Sequence, residues 1–415
     1  MGKRLSEWEY AMKSLSNIAA AVGMWLALCL SGAQAEDGVT KDTILLGSYG
    51  PITGPAAFIG LGGRDGASIA IEQINAAGGI HGRKLSMIFE DDAFSPAKAL
   101  TAVKKLVEQD KVFMIVGLSG SNPTIGTLDY VRDNKIPSYI AIASAPQVTR
   151  PFSRYLFRGA STESARFGEL YAEFLTQFLQ VKRIGILSGS DENAKNEADN
   201  TERMLDKWYG VKIQGRAEFK VGDKDFTPQI LTMKQLDPEI VVVIGQTPEV
   251  SVIIRQMREL GLRMPIYGGA AAVDQSIIIN AGLAAEGYMG GWLTPVYLDS
   301  SHPDMLKFME AFNKHLPNAP KGRPNLYDIM GYSEIYVIAE AMRRAGPELT
   351  REKLVDSLET IKDYRVSEIA SPRTFTNWHH IGNLRQQIMV VLAQRWVPLK
   401  WEPQHESEIL LNYKK

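Results

Sequence analysis

The chain has 415 residues, more than one single-core domain usually holds, so two or three compact units are expected. Hydrophobic residues make up 45% and charged residues 22%, the balance of a soluble globular protein, and the formal net charge of -1 gives no reason to expect a nucleic-acid partner. The single cysteine, Cys29, sits in the leader described next, which excludes thiol catalysis, disulfides and cysteine metal sites from the rest of the chain.

In chain order, Lys13 precedes an apolar run from Ile18 to Leu30, and Ala33-Gln34-Ala35 offers the small-x-small site that a signal peptidase cuts. Residues 1–35 are therefore expected to be an export signal, cleaved near Ala35. A lipoprotein signal is disfavoured because bulky Leu28 precedes Cys29. No later segment offers the ~20 apolar residues of a membrane helix, so stable membrane insertion is not expected.

Beyond the leader, short β-rich runs alternate with amphipathic helices. The run Ile44-Leu45-Leu46 is followed by a helix over Ala67–Ala76, a strand over Leu85–Phe89, a helix over Ala97–Glu108, a strand over Val112–Val116 and a helix over Thr124–Asn134. A second series follows Arg158. Helices are expected over Ser164–Phe178, Glu197–Trp208, Pro228–Gln235 and Glu249–Leu260, and strands over Arg183–Leu187, Lys212–Ala217, Ile240–Ile244 and Ile266-Tyr267. Helices over Asp328–Ala345 and Arg351–Thr360 and a strand-rich end over Gln387–Val397 complete the chain. Such alternation predicts an α/β protein of two Rossmann-like lobes, each a parallel sheet with helices on both faces, with ligand bound between the carboxyl ends of their strands.

The turn "VGLSGSNPT", Val116 to Thr124, lies at such a strand end. Asn122 can cap a helix that Pro123 begins, and Ser119, Gly120 and Ser121 bring hydroxyls and a backbone that can approach a ligand closely. The next expected strand, Ser138 to Ile142, ends in a similar turn, Ala143-Ser144-Ala145-Pro146. Free amides and hydroxyls of two adjacent turns suit one anionic group, most simply a carboxylate.

The segments "GPITGPAAFIG", Gly50 to Gly60, and "IEQINAAGGIHGRKL", Ile71 to Leu85, with Glu90-Asp91-Asp92 after them, resemble the periplasmic solute-binding proteins of ABC uptake systems, in the branched-chain amino-acid-binding family. The resemblance continues through "RIGIL" and "DFTPQILTMKQLDPEIVVVIG" to the region of Tyr332. It implies a type I periplasmic binding fold, with lobes over 36–158 plus 297–384 and over 159–296 plus 385–415, joined by three hinge crossings. It also implies a periplasmic, monomeric, non-enzymatic protein without cofactor or metal, whose partners are a small-molecule carboxylate and a membrane permease. A sensing module of the same fold is the alternative from another class. By position, Ser121 and the Ser119-Gly120 backbone match the family's first carboxylate-holding turn, while the Ile142 backbone and Ser144 hydroxyl match the second. Phe58 and Ile59 fall where a side chain covers the ligand, and Tyr327 where an aromatic closes the pocket.

The departures carry as much information. Where amino-acid-binding members place an acid for the ligand ammonium, this chain has Ala270; Gln246 and Asn193 occupy positions of two aromatics, so the second lobe reads as neutral and polar. Burying an ammonium without a countercharge costs several kcal/mol. The expected ligand is thus a small organic or aromatic acid without an α-ammonium, with an amino acid as the alternative if Asp328, Asp191 or Glu192 restores the charge. Asp328 reads otherwise as a solvent-facing acid at a helix start.

Other signals are set aside. "GLGGRDG", Gly60 to Gly66, has Asp65 where a dinucleotide loop needs its third glycine. "GLSGS" misses the nucleophile-elbow pattern at Ser121. The His379-His380 pair cannot put both rings on one face of a strand, and Trp292, Trp378 and Trp401 read as packing residues.

Overall fold

A parallel strand covered on both faces must be apolar along its whole length, and the run IVVVI at Ile240–Ile244 is buried at every position. It lies inside the larger of two sheets. The computed structural model describes residues 36–293, 301–320, 322–405 and 407–409. The expected leader lies outside the described residues, as do the side chain of Trp292 and the segment 294–300.

The first sheet is wholly parallel. Its strands β1 (Thr43–Gly50), β2 (Lys84–Asp91), β3 (Met114–Gly117), β4 (Ser138–Ile140) and β5 (Leu156–Arg158) run in the order β2-β1-β3-β4-β5. The second sheet contains β6 (Ile184–Gly189), β7 (Gly215–Phe219), β8 (Ile240–Ile244), β9 (Ile266–Gly268), β10 (Met289–Trp292), β11 (Gln387–Leu392) and β12 (Arg395–Pro398), ordered β12-β11-β10-β9-β8-β6-β7. The strand-rich end forms an antiparallel hairpin, β11-β12, added to the parallel strands through an antiparallel β10-β11 pair.

Helices occupy the connections: α1 (Ala57–Ala76), α2 (Pro96–Glu108), α3 (Ser121–Ile125), α4 (Leu128–Asp133), α5 (Ser164–Glu173), α6 (Glu192–Tyr209), α7 (Thr227–Leu236), α8 (Thr247–Glu259) and α9 (Gln275–Ala281). After β10 the chain returns to the first sheet with α10 (Pro303–His315), α11 (Leu326–Ala345) and α12 (Arg351–Leu358), and α11 packs along α1. The expected helix over Ser164–Phe178 is α5 continued by a π turn over Phe174–Phe178.

Helices α9 and α10 and strand β10 are not among the expected elements, and three further departures have identifiable reasons. Helix α1 begins ten residues earlier than its periodicity suggests, because Gly60, Gly62, Gly63 and Gly66 depress helix propensity while serving a packing purpose. The helix expected over Thr124–Asn134 is two short helices, α3 and α4, broken at Gly126 and Thr127. Strand β5 escapes detection because only three residues carry it.

The segment "GLGGRDG" is explained by α11. A Cβ at Gly66 would lie 1.9 Å from the Asp328 carbonyl oxygen, and one at Gly331 would lie 2.1 Å from that of Gly63. The glycines let two helix backbones touch; they form no phosphate loop.

Candidate functional site

Both sheets end their strands at the same crevice. After β3 comes the turn Leu118–Gly120 and then α3, with Gly120 at the N-cap in extended conformation. The expected cap, Asn122, lies instead inside this helix, and its Oδ1 accepts a hydrogen bond from the Glu192 amide at 2.9 Å, across to the start of α6. A helix of five residues adds little dipole, so hydroxyl and amide donors set the polarity of this wall.

Ser121 shows how the two turns act together. Its Oγ accepts from the amides of Ser144 (3.3 Å) and Ala145 (3.1 Å) in the turn after β4. A hydroxyl has two acceptor sites and one donor, so both acceptor sites are used and the proton is left to donate toward the cavity that Ser121 lines. The Ser144 hydroxyl pairs with Asn193 Oδ1 on the opposite wall.

A cavity of about 40 Å³ lies between these walls. From the first sheet's side Ile59, Gly120, Ser121, Ile142 and Ser144 line it; from the second side come Asn193, Gln246 and Ala270; Tyr327 closes one end. Nine of the eleven residues singled out in the sequence thus surround one space. Ser119 does not: its side chain is fully buried behind the turn. Phe58 does not either, because it packs edge-on against Tyr327 (centroids 5.8 Å apart) and faces a neighbouring cavity. Phe94, Ser161, Phe167, Leu293 and Met330 also line the space. They lie at strand ends or on helices far apart in sequence, where no local pattern distinguishes them from core.

Beside the neutral Asn193, Gln246 and Ala270, the second side carries one acid, Asp191. Asp191 caps α6, its Oδ1 accepting from the amides of Asn193 (3.1 Å) and Ala194 (3.2 Å), while Oδ2 is buried without a hydrogen-bond partner and the residue lines the cavity. Burial raises its pKa, the two backbone hydrogen bonds opposing. Glu197, fully buried on the same helix, accepts from the Tyr171 hydroxyl (2.6 Å) and the Ala270 amide (3.0 Å), and burial pushes its carboxyl up to about 7. Burial also holds the Tyr327 hydroxyl well above the ordinary tyrosine range, with the carboxylates of Asp274, Asp191, Glu249 and Glu197 adding to the rise. The Glu197 carboxylate thus lies directly behind the Ala270 amide, while Asp191 is the acid that lines the cavity itself.

Of the three acids considered as substitutes, only Asp191 lines the cavity. Asp328 is fully buried in the capping box of α11, with Arg323 Nε 2.8 Å from its Oδ2. It faces neither solvent nor ligand. Glu192 turns its carboxylate to Gln147 (3.3 Å) and Asn196 (2.9 Å).

The described residues contain no cluster of three or more potential metal-ligating side chains and no helix long and apolar enough to cross a membrane. His379 and His380 are buried, and desolvation depresses their pKa values to about 4 and about 3. Asp91 and Asp92 orient their loop, accepting from the amides of Ala93 (2.9 Å) and Phe94 (2.7 Å).

Two α/β sheets that turn their carboxyl edges toward one cavity, largely apolar with a few polar groups on each wall, have the architecture of a ligand-binding protein. The chain belongs to the periplasmic binding protein family, whose model matches residues 43–392. It is therefore a periplasmic binding protein and not an enzyme, and its fold is the type I periplasmic binding fold. The leucine-, isoleucine-, valine-, threonine- and alanine-binding protein of Pseudomonas aeruginosa is 28% identical over 335 residues, covering 81% of this chain and 87% of that protein. Among solved structures, the branched-chain amino acid transporter substrate-binding protein of Streptococcus pneumoniae with isoleucine is 22% identical, covers 86% of this chain and 100% of its own, and superposes with a TM-score of 0.74. A fatty acid ABC transporter substrate-binding protein from Thermomonospora curvata, 20% identical, covers 92% of this chain and 97% of its own with a TM-score of 0.76.

Proposed function

We propose that this chain is the solute-binding component of an ABC uptake system, that it captures an α-amino acid between its lobes, and that it hands the ligand to a membrane permease. The observation that carries the reading is the pairing of opposite polarities on one cavity: the Ser121 hydroxyl, its acceptor sites filled by the Ser144 and Ala145 amides, beside the Gly120 backbone on one wall, and the Asp191 carboxylate with an unpartnered oxygen on the other. A zwitterion complements both walls, its carboxylate toward the donors and its ammonium toward Asp191. The relative from Pseudomonas, named for leucine, isoleucine, valine, threonine and alanine, supports the same ligand class.

A second reading, a small organic or aromatic acid without an ammonium, has support in Ala270 and in the raised pKa of Asp191, which eases protonation of the wall that would otherwise repel a simple carboxylate. Titration calorimetry with leucine and with its deaminated keto acid separates the two. Asparagine caps a helix as well as aspartate does, so Asp191→Asn keeps α6 intact while removing the charge. The expected outcome is a wild-type preference for leucine and a loss of about 3–5 kcal/mol for leucine alone in Asp191→Asn, the cost of stripping a buried charge of its partner. Tighter binding of the keto acid by the wild type would establish the second reading instead.

A further inference from the structure

The cavity between the two turns is too small for the side chains of most amino acids. A water molecule needs roughly 10–15 Å³ measured in the same way, so about 40 Å³ suits a head group and little more. A second chamber of about 300 Å³ adjoins it, and Ala271, Leu326 and Tyr327 line both. Tyr327 forms part of the partition between them, its hydroxyl donating to Gln246 Oε1 across the cleft at 3.2 Å. Phe58 stands behind the Tyr327 ring on the chamber side.

The chemistry of the chamber follows from how its polar groups are already used. Arg323 is paired with Asp328, Nε to Oδ2 at 2.8 Å, and with Asp65 at 3.0 Å. Asp274 accepts from the Ser276 amide at 2.7 Å and from the Leu326 amide at 3.0 Å. Neither charge is left for an occupant, whereas Phe58, Leu61, Pro248 and Pro320 present apolar surface. A charged side chain entering here would lose hydration and find Arg323 and Asp274, the charged residues among the described lining, already paired.

We infer that the outer chamber is the side-chain subsite, that a ligand reaches it by displacing the Tyr327–Gln246 contact, and that the protein selects large apolar side chains, aromatic or long aliphatic, over alanine-sized ones. The inference rests on the reading of the inner cavity as the head-group site. It requires Tyr327 to act as a partition that moves rather than as a fixed end wall. The free energy lost with one neutral hydrogen bond is small beside the burial of a phenyl ring in a preformed apolar space.

Calorimetry with two ligand series tests it: alanine, leucine and phenylalanine, and the deaminated acids propionate, 4-methylpentanoate and 3-phenylpropionate. The wild type should bind phenylalanine at least tenfold more tightly than alanine. Leu61 lines only the outer chamber and is half-buried on α1, so Leu61→Trp fills the chamber without entering the core. That variant should weaken phenylalanine at least tenfold and leave alanine within about twofold, while the size-conserving Leu61→Met retains the wild-type order. Equal affinity for small and large members in both series, or an unchanged size order in Leu61→Trp, overturns the inference. If size selection persists but the deaminated acids bind more tightly, the amino-acid reading falls and the chamber stands; no binding in either series removes both.

Discussion

Glu197 has no exposed surface, and the nearby Asp191 carboxylate adds to the effect of burial on its carboxyl. Because burial lifts its folded-state pKa from 4.5 to about 7, the folded chain holds this proton more tightly than the unfolded one. Below pH 4.5 the group is protonated in both states and costs nothing. As pH rises from 4.5 to about 7 the folded state loses stability, and above that the cost levels at about 3 kcal/mol. His379 and His380 work in the opposite sense at lower pH: their folded pKa values lie below the ordinary 6.5, so stability falls as pH drops through that value. A comparison with Glu197→Gln isolates the carboxyl, since the amide oxygen can still accept from Tyr171 and Ala270. The variant should gain denaturant resistance relative to wild type progressively from pH 5 to pH 8. A difference that does not change with pH would show that Glu197 stays ionised and is paired. At this scale the sequence disclosed the hydroxyls but not the acids. Ser121 and Ser144 sit in recognisable turns, whereas Asp191 stands in the sequence as one of three acids with nothing to choose between them, and Glu197 as one charge among many on a polar helix.

Among the elements, α1 and α11 show why composition can mislead about local structure. Four glycines within Gly60–Gly66 weaken the helical signal, yet the helix forms because contact with α11 outweighs the propensity loss of roughly 1 kcal/mol per glycine. The backbone of Asp328 lies where a Gly66 methyl would go, and backbone has no alternative rotamer with which to yield. Gly66→Ala should therefore destabilise the protein by about 2–3 kcal/mol or more in equilibrium unfolding, although alanine is the better helix former. Gly78, with nothing near its Cβ position but a φ of +99°, supplies a contrast in which any penalty comes from backbone strain alone. If Gly66→Ala were neutral or stabilising, the close approach of the helices would not be a constraint. The broken helix at α3 and α4 has a similar lesson: Gly126 and Thr127 interrupt a segment whose short first part presents Ser121 to the cavity.

Across the whole molecule, bonds that span the crevice bring its two walls together. Asn122 Oδ1 accepts from the Glu192 amide, Gln147 donates to the Glu192 carboxylate, Asp274 accepts from the Leu326 amide, and Tyr327 donates to Gln246. The first two lie outside the cavity wall and bear on closure without touching ligand. Their removal in Asn122→Ala/Glu192→Ala should shift the ligand-free population toward an open form, raising the radius of gyration in solution scattering. Ligand affinity should weaken by up to about 2 kcal/mol with the preference among ligands unchanged, because the loss falls on the fraction of binding-competent molecules. Unchanged scattering together with unchanged affinity would remove these contacts from the closure balance.

The sequence by itself determined the alternation of strands and helices, the two-sheet α/β architecture, the family, and the pair of Ser-containing turns that border the cavity. Those features are local: strand periodicity, turn chemistry and a cluster of hydroxyls are written in neighbouring residues. Only the tertiary structure decided that Asp191 lines the opposite wall, that Asp328 pairs with Arg323, and that the crevice divides into a small inner cavity and a larger outer chamber. Each depends on residues far apart in the chain meeting at strand ends, and desolvation, which sets whether a carboxylate is available or neutralised, exists only once those residues are packed together.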